Sequence, residues 1–159
     1  MNYFDIFEIE KKFLLEKEDE EKIETQYLSL QKQNQNTGDV INLKSKIINE
    51  AYSTIKDDCK RGEYLLKILE IKPEAFQMSP DLIEYIIEIR EDIMDSETEQ
   101  EIQEKISDII IELEESMIEL SENFALYLKK KVDAQELSSH FMRFKCLYEI
   151  VKKHKKGKV

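Results

Sequence analysis

The stretch VINLKSKIINEAYSTI, Val40 to Ile55, decides the reading of the fold. Val40, Leu43, Ile47, Ala51 and Ile55 recur at steps of three and four residues, the period of one helix face. The pattern continues through Tyr64, Leu65, Ile68 and Leu69. Upstream, Ile23, Tyr27 and Leu30 recur at i, i+4 and i+7 behind the acidic run EKEDEE, whose carboxylates suit a helix N-terminus. Between these segments lies LQKQNQNTGD, Leu30 to Asp39, rich in amides. Gly38 supplies a permissive turn residue, and Thr37 or Asp39 can cap the helix that follows. Two antiparallel helices joined by a short polar loop are predicted here, with a short helix near Tyr3 to Ile9 ahead of them.

Composition agrees with an all-α fold. The chain has 159 residues, 41% of them hydrophobic, enough for one large or two small domains. Charged residues make up 37%, and only three Gly and two Pro interrupt them, which predicts long helices. A net charge of -11 repels phosphate backbones. Lys129 to Lys131 and the tail KKHKKGK lack interleaved aromatics that stack on bases, so nucleic acid is not expected as a partner. The tail reads instead as lysines complementing a helix C-terminus. No apolar run approaches the roughly 20 residues that span a bilayer, so no membrane partner is expected either. The opening MNYFDIFEIE has no signal-like pattern, and a soluble intracellular protein is expected. Cys59 and Cys146 stand far apart, outside any C-x-x-C, and read as ordinary thiols.

The periodicity lapses at IKPEAFQMSPD, Ile71 to Asp81, where Pro80 reads as the first residue of a new helix behind Ser79. The expected organisation is residues 1–72 as one domain, 73–79 as a linker and 80–156 as a second domain. That second domain offers three helical stretches: Pro80 to about Asp95, Glu97 to Lys131, and Ala134 to His154. The middle one carries a seam of Ile102, Ile106, Ile109, Leu113, Met117, Leu120, Phe124 and Leu128, predicting a helix on the order of 50 Å. The last carries Leu137, Phe141, Phe144, Tyr148 and Val151. Together they predict an antiparallel three-helix bundle.

Signs of catalysis are poor. His140 and His154 stand in no E-x-x-H frame, and glycines at 38, 62 and 157 are too scattered to cradle a phosphate. No enzyme activity, metal or cofactor is expected. The helix opening at Pro80 is more informative. Leu82, Ile86, Ile89 and Ile93 form one apolar stripe, and Ile83, Ile87 and Met94 form a second about 110° away, at 100° per residue. Glu88, Arg90, Glu91 and Asp95 edge the second stripe. Either it is a partner-binding strip with a charged rim, or the helix is sandwiched and buries a broad face.

NYFDIFEI, INEAYSTIKDDCKRGEYLL from Ile48 to Leu66, and EIRED from Glu88 to Asp92 together resemble HscB, the J-type co-chaperone family of iron-sulfur cluster assembly. The middle motif is the specific one. It departs from the family at Asp58, commonly Pro, and at Gly62, usually Ala. The resemblance covers nearly the whole chain. It implies an L-shaped pair of an N-terminal J-domain-like helical hairpin and a C-terminal three-helix bundle. It also implies two partners: a DnaK/HscA-type chaperone engaged by the first domain, and an IscU-type scaffold protein held by the second. Aligned on EIRE, the scaffold-binding positions fall on Ile83, Ile87, Glu88, Glu91 and Asp95, with Phe144 from the last helix. The compartments that go with the family are the bacterial cytoplasm, the mitochondrial matrix or a mitochondrion-derived organelle.

The family's chaperone contact depends on a His-Pro-Asp tripeptide between the second and third helices. Here the resemblance places Gln35, Asn36 and Thr37 at those positions. Gln35 carries no titratable charge, Asn36 lacks the fixed φ of proline, and Thr37 has no carboxylate for ion pairs. The preceding helix offers only Lys22 and Lys32 among Glu20, Glu21 and Glu24, which weakens complementarity to an acidic surface. Two readings follow: a co-chaperone that presents the scaffold to its chaperone, or a J-like adaptor that holds the scaffold without stimulating ATP hydrolysis. A helical structural protein that shares the pattern through packing alone is a third.

Overall fold

The computed structural model describes residues 2–34 and 39–156. Among them every regular element is helical, and the chain divides into two compact units, Met1–Leu69 and Glu70–Val159. No helix among the described residues is long and apolar enough to cross a membrane.

In the first unit, α1 (Tyr3–Ile6) is a single turn closed by a reciprocal cap between Asn2 and Asp5. It is shorter than the sequence predicts. Glu8 takes a left-handed conformation, φ 57°, which stops the helix and turns Phe4, Phe7 and Ile9 into the core. Tyr3 stacks on Tyr64 at 4.6 Å, and its N–H donates to the Tyr64 hydroxyl.

Next, α2 (Lys17–Gln33) and α3 (Asp39–Lys56) lie antiparallel. Their shared face is largely polar. Tyr27 stacks on Tyr52 at 3.9 Å, and the Tyr27 hydroxyl and the Gln31 amide both donate to Asn49 Oδ1. Ser45 donates to Gln31, and Tyr52 donates to Glu24. That hydrogen bond from Tyr52 holds the Glu24 carboxyl below the usual carboxylate range. Only Ile23 of α2 is fully buried.

The helical periodicity from Val40 to Leu69 does not make one helix. It breaks at Asp57, whose extended backbone and carboxylate cap a new helix, α4 (Asp58–Ile68), through the Lys60 N–H. Asp58 stands at the first helical position, where proline is also favoured, so the departure from the family pattern at this residue keeps a good helix start. The break is locked by Arg61, which is 1% exposed. Its Nε donates to the Phe13 carbonyl and one terminal nitrogen donates to the Ile55 carbonyl; the other pairs with Asp58 at 2.6 Å. One guanidinium thus ties the entry loop, the end of α3 and the start of α4.

In the second unit a 3-10 turn at Pro73–Ala75 leads to α5 (Pro80–Met94), capped by the Ser79 hydroxyl, which accepts from the Leu82 N–H. Residues 73–79, expected as a linker, include this turn, which packs on the last helix of the chain. Then come α6 (Glu99–Leu128), capped by Thr98, and α7 (Ala134–Lys156), whose Glu136 N–H donates to Asp133. At 30 residues α6 is about 45 Å long. It ends in a left-handed Lys130, φ 60°, with the Lys131 N–H returning to the Leu126 carbonyl. The three helices form the expected antiparallel bundle. Ile86 and Ile93 of α5 meet Ile106 and Ile109 of α6 and Leu147, Ile150 and Val151 of α7. Leu120, Phe124, Leu137, Phe141 and Phe144 are also buried. Leu128, predicted to continue the α6 seam, is 64% exposed because the helix ends there.

Replacing Arg61 by Leu leaves two buried carbonyls without their charged donor, and the first unit is expected to lose about 3 kcal/mol. Hydrogen exchange of the α3 and α4 amides under graded urea reads this directly; unchanged protection would show that the guanidinium is not the lock.

Candidate partner-binding face

Helix α5 answers the question of its two stripes. Ile86 and Ile93 are buried, and Leu82 and Ile89 pack against the same cluster. The second stripe stays outside: Ile83 is 43% exposed, Ile87 49% and Met94 82%. Both faces cannot be buried, because the neighbouring helices cover α5 from one side only. Glu88, Glu91 and Asp95 are exposed beside the stripe. Arg90 is exposed at the other edge of the stripe, on the side of α7, near enough to Cys146 to act on its thiol.

Glu84 completes an acidic ridge that the sequence reading missed, Glu84, Glu88, Glu91 and Asp95, all exposed at steps of four, three and four. The spacing itself was the available signal. None of these four carboxylates forms an ion pair among the described residues. The i, i+4 repulsions between Glu84 and Glu88 and between Glu91 and Asp95 are unfavourable by a few tenths of a kcal/mol each. Asp92 and Asp95 also sit at the negative end of the helix dipole, where the last turn contains no basic residue. Folding alone favours none of this. An apolar strip with an unpaired acidic flank is instead suited to a partner with an apolar patch and basic neighbours.

The expectation for Phe144 is corrected. Its side chain is 0% exposed and sits between Phe141 and Tyr148, with ring centroids 6.2 and 5.7 Å away. It lies on the buried stripe of α7, and packing rather than contact explains it. Gln35, Asn36 and Thr37 lie outside the described residues. The flanking α2 is as acidic as the sequence indicates, with Glu18, Asp19 and Glu20 in its first turn and Lys32 in its last. Of the two thiols, Cys59 is buried and contacts Glu63, while burial, with Glu149 nearby, pushes the half-buried Cys146 thiol up. The Cys146 environment does not favour a reactive thiolate. Among the described residues no group of His, Cys, Asp or Glu is placed to hold a metal ion.

No protein-family model matches the sequence, and no curated protein does. Solved structures do match it. Chaperone HscB from Vibrio cholerae superposes with a TM-score of 0.79 at 19% identity, over 99% of this chain and 97% of that one. The human co-chaperone protein HscB gives 0.81 at 21%, over 100% and 83%. The Jac1 co-chaperone from Saccharomyces cerevisiae gives 0.74 at 18%, over 98% and 92%. Identities this low show a shared fold, and they show it over essentially the whole chain.

Exposure separates the two kinds of residue on this unit. Ile83→Ala with Ile87→Ala is expected to change thermal stability by less than about 1 kcal/mol, since both side chains already face water. Phe144→Ala is expected to destabilise by about 3–5 kcal/mol. Calorimetric melts of the variants check this, and a large loss in the isoleucine pair would place the second stripe in the core.

Proposed function

We propose that this chain is an HscB-like co-chaperone of iron-sulfur cluster assembly. Its bundle, residues 80–156, holds an IscU-type scaffold protein and its J-like segment, residues 1–72, presents that scaffold to a DnaK/HscA-type chaperone. The observation that carries this reading is the exposed stripe of Ile83, Ile87 and Met94 beside unpaired Glu88, Glu91 and Asp95. The positions aligned with the family's scaffold-binding residues are the ones that α5 leaves in water. The likeness of fold to three co-chaperones supports it. The protein does no chemistry of its own in this reading; it acts by binding. The bacterial cytoplasm, the mitochondrial matrix or a mitochondrion-derived organelle is the setting that goes with it.

Gln35, Asn36 and Thr37 in place of His-Pro-Asp favour a second reading, an adaptor that binds the scaffold without stimulating chaperone ATPase. A neutral amide, a free-φ amide and a hydroxyl supply neither the charge nor the rigidity of the family's loop.

Calorimetric titration with the cognate scaffold is expected to show at least about tenfold weaker binding for Ile87→Ala combined with Glu91→Ala. Equal affinity would count against α5 as the binding face. Single-turnover ATPase measurements with the cognate chaperone and scaffold separate the two readings. Clear stimulation by the natural chain sinks the adaptor. Stimulation that emerges only after Gln35→His, Asn36→Pro and Thr37→Asp assigns its loss to the tripeptide.

A further inference from the structure

The second unit contains a cleft with a volume of ≈ 370 Å³, bounded by residues ahead of α5, the first turns of α5 and the N-terminal half of α7. It shares no residue with the scaffold-binding stripe, since Leu82 and Tyr85 line it from another side of α5. Its volume falls in the range of about 300–1,000 Å³ typical of small-molecule sites.

Three features point to a ligand. Arg143 lines the cleft with its guanidinium 5.0 Å from the centre of the Tyr85 ring. No carboxylate pairs with it among the described residues, in a chain with 35 Asp and Glu. Ser138, also lining the cleft, is 1% exposed, and its hydroxyl has no hydrogen-bond partner among the described residues. A hydroxyl left unsatisfied in a buried position is a penalty that a bound polar group relieves. Third, the cleft reaches Ser79 and the positive N-terminal end of α5.

The remaining surroundings narrow the chemistry. Phe76, Leu82 and Met142 give apolar walls. Among the described residues Asp81 is the only acidic one of the lining, and His140 has its Nδ1 turned 3.8 Å from Glu119 of α6. One uncommitted guanidinium opposed by one carboxylate suits a single negative charge rather than a dianionic phosphate. The guanidinium beside Tyr85 carries a planar fork of N–H donors that matches the two oxygens of a carboxylate. We propose that this cleft binds a monocarboxylate with an apolar body, its carboxylate on Arg143, its body against Phe76 and Leu82, and the Ser138 hydroxyl as the polar contact inside. The carboxylate belongs either to a free organic acid or to the C-terminus of a peptide.

Titrating the isotope-labelled full chain with 3-phenylpropionate, observed by NMR, tests this. Saturable shifts at Phe76, Leu82 and Ser138 are expected with a Kd on the order of 1 mM. The uncharged 3-phenylpropionamide and the Arg143→Gln variant are each expected to bind about tenfold or more weakly, the loss of a charge-assisted pair. Ser138→Ala is expected to weaken binding roughly threefold. Acid and amide binding alike, Arg143→Gln binding like the natural chain, or shifts that stay linear to about 10 mM would each overturn the proposal. The acid-amide comparison is made on the natural chain and holds even if Arg143→Gln fails to fold. Acetyl-Gly-Phe with a free carboxylate decides the source: tighter binding than the free acid supports a peptide C-terminus, and weaker saturable binding supports a small acid.

Discussion

Burial of Ile86 and Ile93 against α6 and α7 sets what the second unit shows to solvent. A helix of 15 residues with apolar side chains on two stripes has to choose a face, and a three-helix bundle covers one. Once Ile86 and Ile93 meet Leu147, Ile150 and Val151, the helix can no longer rotate, and Ile83, Ile87 and Met94 are held in water. The same rotation aligns four carboxylates and brings Leu82 and Tyr85 to the cleft beside Arg143. Two distinct surfaces of α5 are thus consequences of a single packing choice.

Much of this was legible in the sequence, because it rests on the period of the helix. The two stripes of α5, the start at Ser79 and Pro80, and the seams of α6 and α7 are all statements about steps of three and four residues. What was not legible depends on contacts between distant segments. Periodicity runs through Asp57 without a gap, so the break between α3 and α4 is visible only in the cap geometry. Arginine is among the residues least often fully buried, so nothing in the composition marks Arg61 as the buried lock. The cleft needs Phe76, Tyr85 and Arg143 brought together from three separate segments. At Phe144 two signals conflicted, a family alignment that made it a contact and a helical period that made it core; the burial of its ring sides with the period.

The two units use different means to bring helices together. The bundle is sealed by aliphatic and aromatic side chains, and the polar atoms buried within α6 satisfy themselves locally, Ser116 on the Leu113 carbonyl and Asn123 on that of Glu119. In the first unit, α2 and α3 are joined by a row of hydroxyls, amides and stacked tyrosines from Glu24 to Lys56. Such a seam is directional. Hydrogen bonds from Tyr27, Gln31 and Ser45 allow one register, whereas a greasy interface tolerates several.

That row has a consequence for how the chain changes over generations. Register in a helical hairpin is often entrusted to its turn, and the turn is then conserved for folding. Here the pairing is specified along the helices themselves, from Glu24 with Tyr52 to Gln31 with Ser45. Substitutions at Glu24, Gln31, Ser45 or Tyr52 are therefore the ones the hairpin feels as a loss of register, and a change on one helix calls for a matching change on the other.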